Sequence, residues 1–262
     1  NAILGSLTSS NVLAAGSIYN AAKIPTIGTG NSPSWMAKGW EYIFRAGLNT
    51  ALSMPHLAAK MKELGLKKVG VFRGLDDAAK TSAEAFIAEA KKAGLEITTT
   101  ESYTEGDTDF SGQIAKIINT KPDVVFCSTN GPTQAIFAKQ LRQLGYNKLC
   151  FNREGIPQDT MNVAGAAANN WVFAYPYVIY KNIDDATDPD MKKFLQLYYD
   201  EYHIMPYHDC AYRSWDAMMV FWEASKIAKS NDADAIKDAI SKIKNFKSLG
   251  GMLDFTDGTR EG

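Results

Sequence analysis

Lys68-Val-Gly-Val-Phe72, a helical pattern from Ala78 to Ala93 and an alternating run from Leu95 to Tyr103 form the stretch from which the fold is read. The first run is short and apolar and follows Gly65, a helix stop. The second carries Phe86, Ile87 and Ala90 on one face and meets Gly94 just past its end. The third alternates like a half-buried strand. Working outward, the rhythm continues. Phe110–Asn119 is a helix with Asp107 or Asp109 placed to cap it, Asp123–Cys127 a buried strand, and Thr133–Leu144 a helix closed by Gly145. Leu149–Asn152 is a strand, Pro157–Val163 a short helix and Trp171–Tyr175 another strand. Five strands with four helical crossovers predict an α/β architecture, a parallel sheet with helices on both faces. Ligands of such sheets sit beyond the carboxyl ends of the strands. That directs attention to the loops Arg73–Ala78, Ser128–Thr133 and Asn152–Pro157.

The flanks read differently. Residues 1–47 hold a strand at Ala2–Leu4, a helix at about Ser10–Lys23, a strand at Pro25–Ile27 and then a Gly/Ser/Pro loop, Gly28–Pro33. Residues 187–247 are three consecutive helical patterns, opened in turn by Pro189, Asp209 and Asp232. Two strands do not make a stable sheet alone, so these segments must pack on each other or on something outside them.

The 28 basic and 29 acidic residues nearly cancel, to a formal net charge of -1. A nucleic-acid or anionic-membrane surface needs a basic excess, so neither partner is expected. No apolar run approaches the ~20 residues of a membrane span, and no direct membrane insertion is expected of this segment. No signal segment is present, so a secreted protein would stand here in mature or trimmed form. Cys127, Cys150 and Cys210 are too few and too scattered for a disulfide framework.

The chemistry-bearing patterns are thin. Gly28-Thr-Gly30 follows a strand but lacks the third glycine of a dinucleotide loop, and Pro33 stands where the helix should begin. His203, His208, Asp209 and Cys210 have no helical metal-pair spacing, and Asp209 reads as a helix cap. With no nucleophile elbow or phosphate loop either, no catalytic residue, metal or cofactor is expected, which disfavours an enzyme. Glu154, in Phe151-Asn-Arg-Glu-Gly155, follows a strand at the carboxyl end of the predicted sheet. It reads either as a receiver for an ammonium group or as a solvated acid or partner of Arg153. Ser9 and Ser10 open a helix, as plain caps or as part of a carboxylate site.

Several stretches together resemble one family. Gly5-Ser-Leu-Thr-Ser-Ser10, Ile24-Pro-Thr-Ile27 and the Gly28–Pro33 loop are similar to the segment before the first domain crossover in leucine/isoleucine/valine-binding proteins, the periplasmic solute-binding proteins of branched-chain amino acid ABC transporters. Tyr42-Ile-Phe-Arg45, Glu105-Gly-Asp-Thr-Asp-Phe-Ser111, Pro122-Asp-Val-Val, Gln140–Gly145, Glu154-Gly155 and the helix Tyr212–Ser225 follow in that family's order and spacing. The resemblance spans essentially the whole chain. It implies a type I periplasmic-binding-protein fold, two parallel-sheet α/β lobes joined by a hinge, with a small amino-acid-like ligand bound between them. It implies a membrane permease as partner, a periplasmic or membrane-anchored extracytoplasmic location, and a first lobe that is incomplete here. The same fold also serves in ligand-sensing receptor domains. The lobe assignment that follows is residues 1–47 and 182–247 for the first lobe, and 48–181 and 248–262 for the second.

Position by position, the resemblance implies that Ser9 and Ser32, with backbone at Gly30, hold the ligand's carboxylate and amine. It implies that Glu154 receives the amine and that Leu7 touches the side chain. Ala78 and Asn130 stand where members often carry tyrosines, and Cys210 stands at an aromatic position. A pocket with less aromatic bulk leaves room for a larger ligand, with Arg73, Arg153 or Asp77 available to a charged tail.

Overall fold

The computed structural model describes residues 2–47, 49–175 and 177–262. The chain divides into two compact units, Asn1–Leu48 with Pro176–Gly262, and Asn49–Tyr175. The first unit begins with β1 (Ile3–Leu4), α1 (Ser9–Ala21), β2 (Thr26–Gly28) and β3 (Ile43–Arg45), which pair in parallel in the order β1-β2-β3. β3 therefore supplies the third member that two strands alone lacked.

The second unit contains α2 (Thr50–Glu63), β4 (Lys68–Gly74), α3 (Asp77–Lys92), β5 (Glu96–Tyr103), α4 (Ser111–Asn119), β6 (Val124–Ser128), α5 (Gly131–Gln143), β7 (Cys150–Asn152), α6 (Gln158–Ala164) and β8 (Trp171–Phe173). Its strands form one parallel sheet in the order β5-β4-β6-β7-β8. The period of two along β6 sorts its side chains. Val124 and Phe126 join Val69, Val71 and Phe151 under α2 and α3, while Val125 and Cys127 join Phe72 and Cys150 under α4 and α5. Phe86 stacks on Phe126 with ring centroids 3.7 Å apart, and Phe72 on Phe137 at 3.9 Å, one pair on each face. All four rings are fully buried, each contributing roughly 1.5–3 kcal/mol of transfer free energy. Asp76 caps α3 by accepting the Ala79 N–H at 3.0 Å. At the head of α4, Asp109 accepts the Ser111 N–H.

The first unit resumes with α7 (Pro189–Tyr202), α8 (Asp209–Ala228), α9 (Ala233–Ile240) and the antiparallel pair β9 (Phe246–Lys247) and β10 (Met252–Leu253). Ala217, Val220 and Ala224 of α8 and Ile236, Ala239 and Ile240 of α9 pack on Ile27 and Phe44 of the sheet. Two parts of the expected lobe assignment are corrected here. The tail, residues 248–262, belongs to the first unit and not the second, because Leu253 and Phe255 complete that same apolar cluster. Its last residues also run beside β3, with the Arg45 N–H donating to Arg260 O and the Gly262 N–H to Arg45 O. Residues 177–181 move with it, since the Tyr177 hydroxyl donates to Asp216 of α8 at 3.0 Å. Asp216 is buried and also accepts the N–H groups of Leu249 and Gly250, which ties the tail to the helix.

Candidate functional site

In the first unit, Ser9 is the first residue of α1 and is buried, and Thr8 before it makes no side-chain capping bond. The Ser32 N–H donates to Ser9 Oγ at 3.0 Å. With that lone pair filled, the Ser9 hydroxyl proton is left to donate. The first turn of α1 holds no acidic residue, so the positive end of the helix meets no carboxylate of its own there. Gly30 is required for this approach. A Cβ at residue 30 would lie 2.8 Å from Ser9 Oγ and 3.0 Å from its backbone nitrogen, too close for any other residue. Ser32 is buried and its Oγ bonds Ser34 Oγ at 3.0 Å. The structure thus brings Ser9, Gly30 and Ser32 together. Leu7 lies exposed in the loop before α1.

Two arginines hold the Gly28–Pro33 loop, and sequence reasoning gave neither this role. Arg45, at the end of β3, is fully buried. Its Nη1 donates to the carbonyls of Asn31 (3.2 Å) and Ser32 (3.0 Å), its Nη2 pairs with Glu261, and its guanidinium lies 4.8 Å from the Trp35 ring centre. Arg213, one turn into α8, donates from Nη1 to Thr29 O and to Asn31 Oδ1, both at 2.7 Å. Its other edge pairs with Asp209, Nε to Oδ2 at 3.0 Å and Nη2 to Oδ1 at 3.2 Å. The acid–base spacing of four between Asp209 and Arg213 was the available signal.

Asp209 is therefore an ion-pair member rather than the cap of α8, which corrects the sequence reading. The cap is His208, whose Nδ1 accepts the Cys210 N–H at 3.0 Å and also lies 2.8 Å from Asp209 Oδ1. These contacts exclude each other, because a proton on Nδ1 donates to Asp209 and a bare Nδ1 accepts from Cys210. The carboxylate favours the proton. Burial pushes the imidazole down, and contacts with Asp209 and Cys210 together outweigh it and raise the group to about 10. Burial also raises the Asp209 carboxyl, but His208 and Arg213 hold it below its usual range. His208, Asp209 and Cys210 bring their ligand atoms within 4.8 Å of one another. The Arg213 cation lies against two of the three, 3.3 Å from Cys210 Sγ, which disfavours a metal ion there. Cys210 is half-buried and packs against this guanidinium rather than offering apolar bulk.

In the second unit the predicted residues gather at the carboxyl ends of β4, β6 and β7. Ala78 is half-buried on the first turn of α3, and Asn130 is the N-cap residue of α5. Asn130 makes no capping bond with its side chain. Its Oδ1 instead accepts a short hydrogen bond from Arg153 Nη2, and its Nδ2 donates to Asp76 at 3.4 Å. Glu154 pairs with Arg153 at 2.9 Å, its side chain 23% exposed against 3% for the arginine. Of the alternative readings of Glu154, partnership with Arg153 is thus present. Gly155 beside it lets Tyr175 pack flat, since a Cβ there would stand 1.8 Å from that ring. Arg73 pairs with Glu84 at 3.2 Å.

A protein family described as periplasmic binding protein matches residues 1–262. A Leu/Ile/Val-binding protein homolog from Brucella melitensis is 27% identical over 174 residues, covering 64% of this chain and 45% of that protein. A leucine-specific-binding protein from Salmonella typhimurium is 24% identical, covering 66% of this chain and 48% of that one. The chain thus spans about half the length of these curated relatives. Among solved structures, a leucine-binding protein from Thermotoga maritima superposes with a TM-score of 0.85 at 25% identity, over 97% of this chain and 71% of that one. The substrate-binding protein of a branched-chain amino acid transporter from Streptococcus pneumoniae, solved with isoleucine, gives 0.84 at 23% identity, over 99% and 73%.

Proposed function

The chain belongs to the periplasmic binding protein family, and from that premise we propose that it is the extracytoplasmic substrate-binding component of an ABC importer, which binds an amino acid or close analogue and converts nothing. In this reading a membrane permease receives the ligand, and the protein works in the periplasm or anchored outside the membrane. Among the described residues no helix is long and apolar enough to cross a membrane.

The observation that carries the reading is the Ser9 arrangement. A hydroxyl that accepts the Ser32 N–H and keeps its own proton to donate, at the head of a helix with no acid in its first turn, suits a carboxylate. Glu154, at the carboxyl end of the second unit's sheet, suits the ammonium, because the lone pairs of a carboxylate can accept several donors besides Arg153. Leu7, Gly30, Ser32, Ala78, Asn130 and Cys210 complete the proposed set of ligand contacts. A dry site of fixed donors and acceptors rejects ligands that lack either charged group.

The test is calorimetry with free L-amino acids, their amides and their decarboxylated amines. Free amino acids should bind and the amides and amines should bind far more weakly. Replacing Glu154 with Gln should weaken every amino acid roughly ten- to a hundredfold, the loss of one charge-assisted bond. A protein that takes up no free amino acid, or one in which Glu154→Gln changes nothing, would overturn the assignment.

A further inference from the structure

Arg153 is 2% exposed and follows β7 directly. Its Nη2 serves both Asn130 Oδ1 and Glu154 Oε1. Nε and Nη1 are shielded from solvent and have no acceptor among the described residues. Buried guanidinium donors are nearly always hydrogen-bonded, so a pair without acceptors calls for an explanation.

The surroundings are built rather than incidental. The Arg153 N–H donates to Cys127 O, and Asn152 Nδ2 donates to Glu154 O at 2.8 Å and to Gln134 Oε1 at 3.2 Å, which fixes the loop. Asp76, the other acid close by, accepts the Ala79 N–H of α3. The side chain of Asn130, which would ordinarily cap α5, is engaged by Arg153 and Asp76. The positive end of that 13-residue helix is therefore left without a side-chain cap on the same side as the arginine. Both features favour an incoming oxygen acceptor.

Resting on the binding function proposed above, we propose that Arg153 is a specificity-determining residue that receives an acceptor oxygen at the end of the ligand's side chain. The ligand is then an amino acid ending in a carboxylate or carboxamide, not a branched-chain one. Glu154 keeps the ammonium and Arg153 reads the tail.

The experiment is calorimetry of the intact polypeptide with glutamate, glutamine and leucine, on the unsubstituted protein, Arg153→Met and Glu154→Gln. Glutamate or glutamine should bind at least about tenfold more tightly than leucine, the discrimination of one charge-assisted bond. Their ratio tells carboxylate from carboxamide. Arg153→Met should erase that preference by weakening glutamate and glutamine at least about tenfold more than leucine, whereas Glu154→Gln should weaken all three alike. Leucine bound as tightly as both polar ligands, or an equal loss of all three in Arg153→Met, would overturn the proposal while leaving the binding function standing. Failure of all three to bind would overturn the proposal and count against the binding function as well. Should Arg153→Met not fold, Arg153→Lys decides. It keeps the charge but loses the planar donors, and an unchanged preference there also overturns the inference.

Discussion

The two units are held together by different physics. In Asn49–Tyr175 the sheet is covered on both faces by apolar helices, and stacked phenylalanine pairs lie on either side of it. In the other unit the three-stranded sheet is short, and four of the five arginines and aspartates buried among the described residues are found there: Arg45, Asp209, Arg213 and Asp216. Those charges fasten loops, Gly28–Pro33 through the arginines and the tail through Asp216. Apolar burial is non-directional and fixes where layers lie, whereas buried ion pairs and their hydrogen bonds fix where particular atoms lie. The unit that brings Ser9, Gly30 and Ser32 together is the one whose loops need that second kind of control.

The sharpest way to break this contrast is to attack each unit by its own means. Phe126→Ala removes a ring stacked at 3.7 Å on Phe86 with no exposure at either, and should cost about 3–5 kcal/mol. Hydrogen exchange followed through denaturant should show the loss in β4, β6 and α3 and not in α8. Uniform loosening of both units would mean that their stabilities are not separable. Arg213→Met should cost slightly less, about 3 kcal/mol, at the low side of a broken buried ion pair because His208 still faces Asp209. Its signature should be faster exchange in residues 28–33 and weaker amino-acid binding. An equal loss of stability with residues 28–33 still protected would show that Arg213 does not hold the loop.

The same contrast explains what could be read in the sequence. The order of strands and helices from Lys68 to Phe173 was legible because period-two and period-3.6 patterns mark the layers directly. The tail was misassigned because Leu253 and Phe255 carry no periodicity long enough to say which sheet they cover; only the contact with Phe44 does. Ser9, Gly30 and Ser32 were legible as a set only through the family resemblance, since the reason for Gly30 is the backbone of Ser9 twenty-one residues earlier. Arg45 and Arg213 were missed as loop anchors because an arginine in sequence reads as solvated charge until its partners are known.

The smallest expected effect is the most specific to the charged unit. His208 sits at the head of α8 with its pKa raised to about 10 against an ordinary value near 6.5, burial opposing and Asp209 and Cys210 driving the rise. A group whose folded pKa lies above its unfolded one adds stability that is complete below the unfolded value and is lost as pH rises through the folded one. The contribution of His208 should therefore be full below about pH 6.5 and fade between there and about pH 10. Asp209 and Asp216 do not share that window. The first is held below the usual carboxylate range by His208 and Arg213 despite its burial, and the second is raised from it by burial. The measurement is urea unfolding of the unsubstituted protein and His208→Gln at pH 6, 8 and 10, with histidine resonances followed across the same range. The stability difference should shrink as pH rises, and the His208 signal should titrate well above neutrality. Because the His208 side chain is 35% exposed, solvent screening keeps the effect below that of Arg213→Met. A difference that stays flat across the range would show that Nδ1 is bare and accepts the Cys210 N–H, and that the head of α8 is held by a neutral cap.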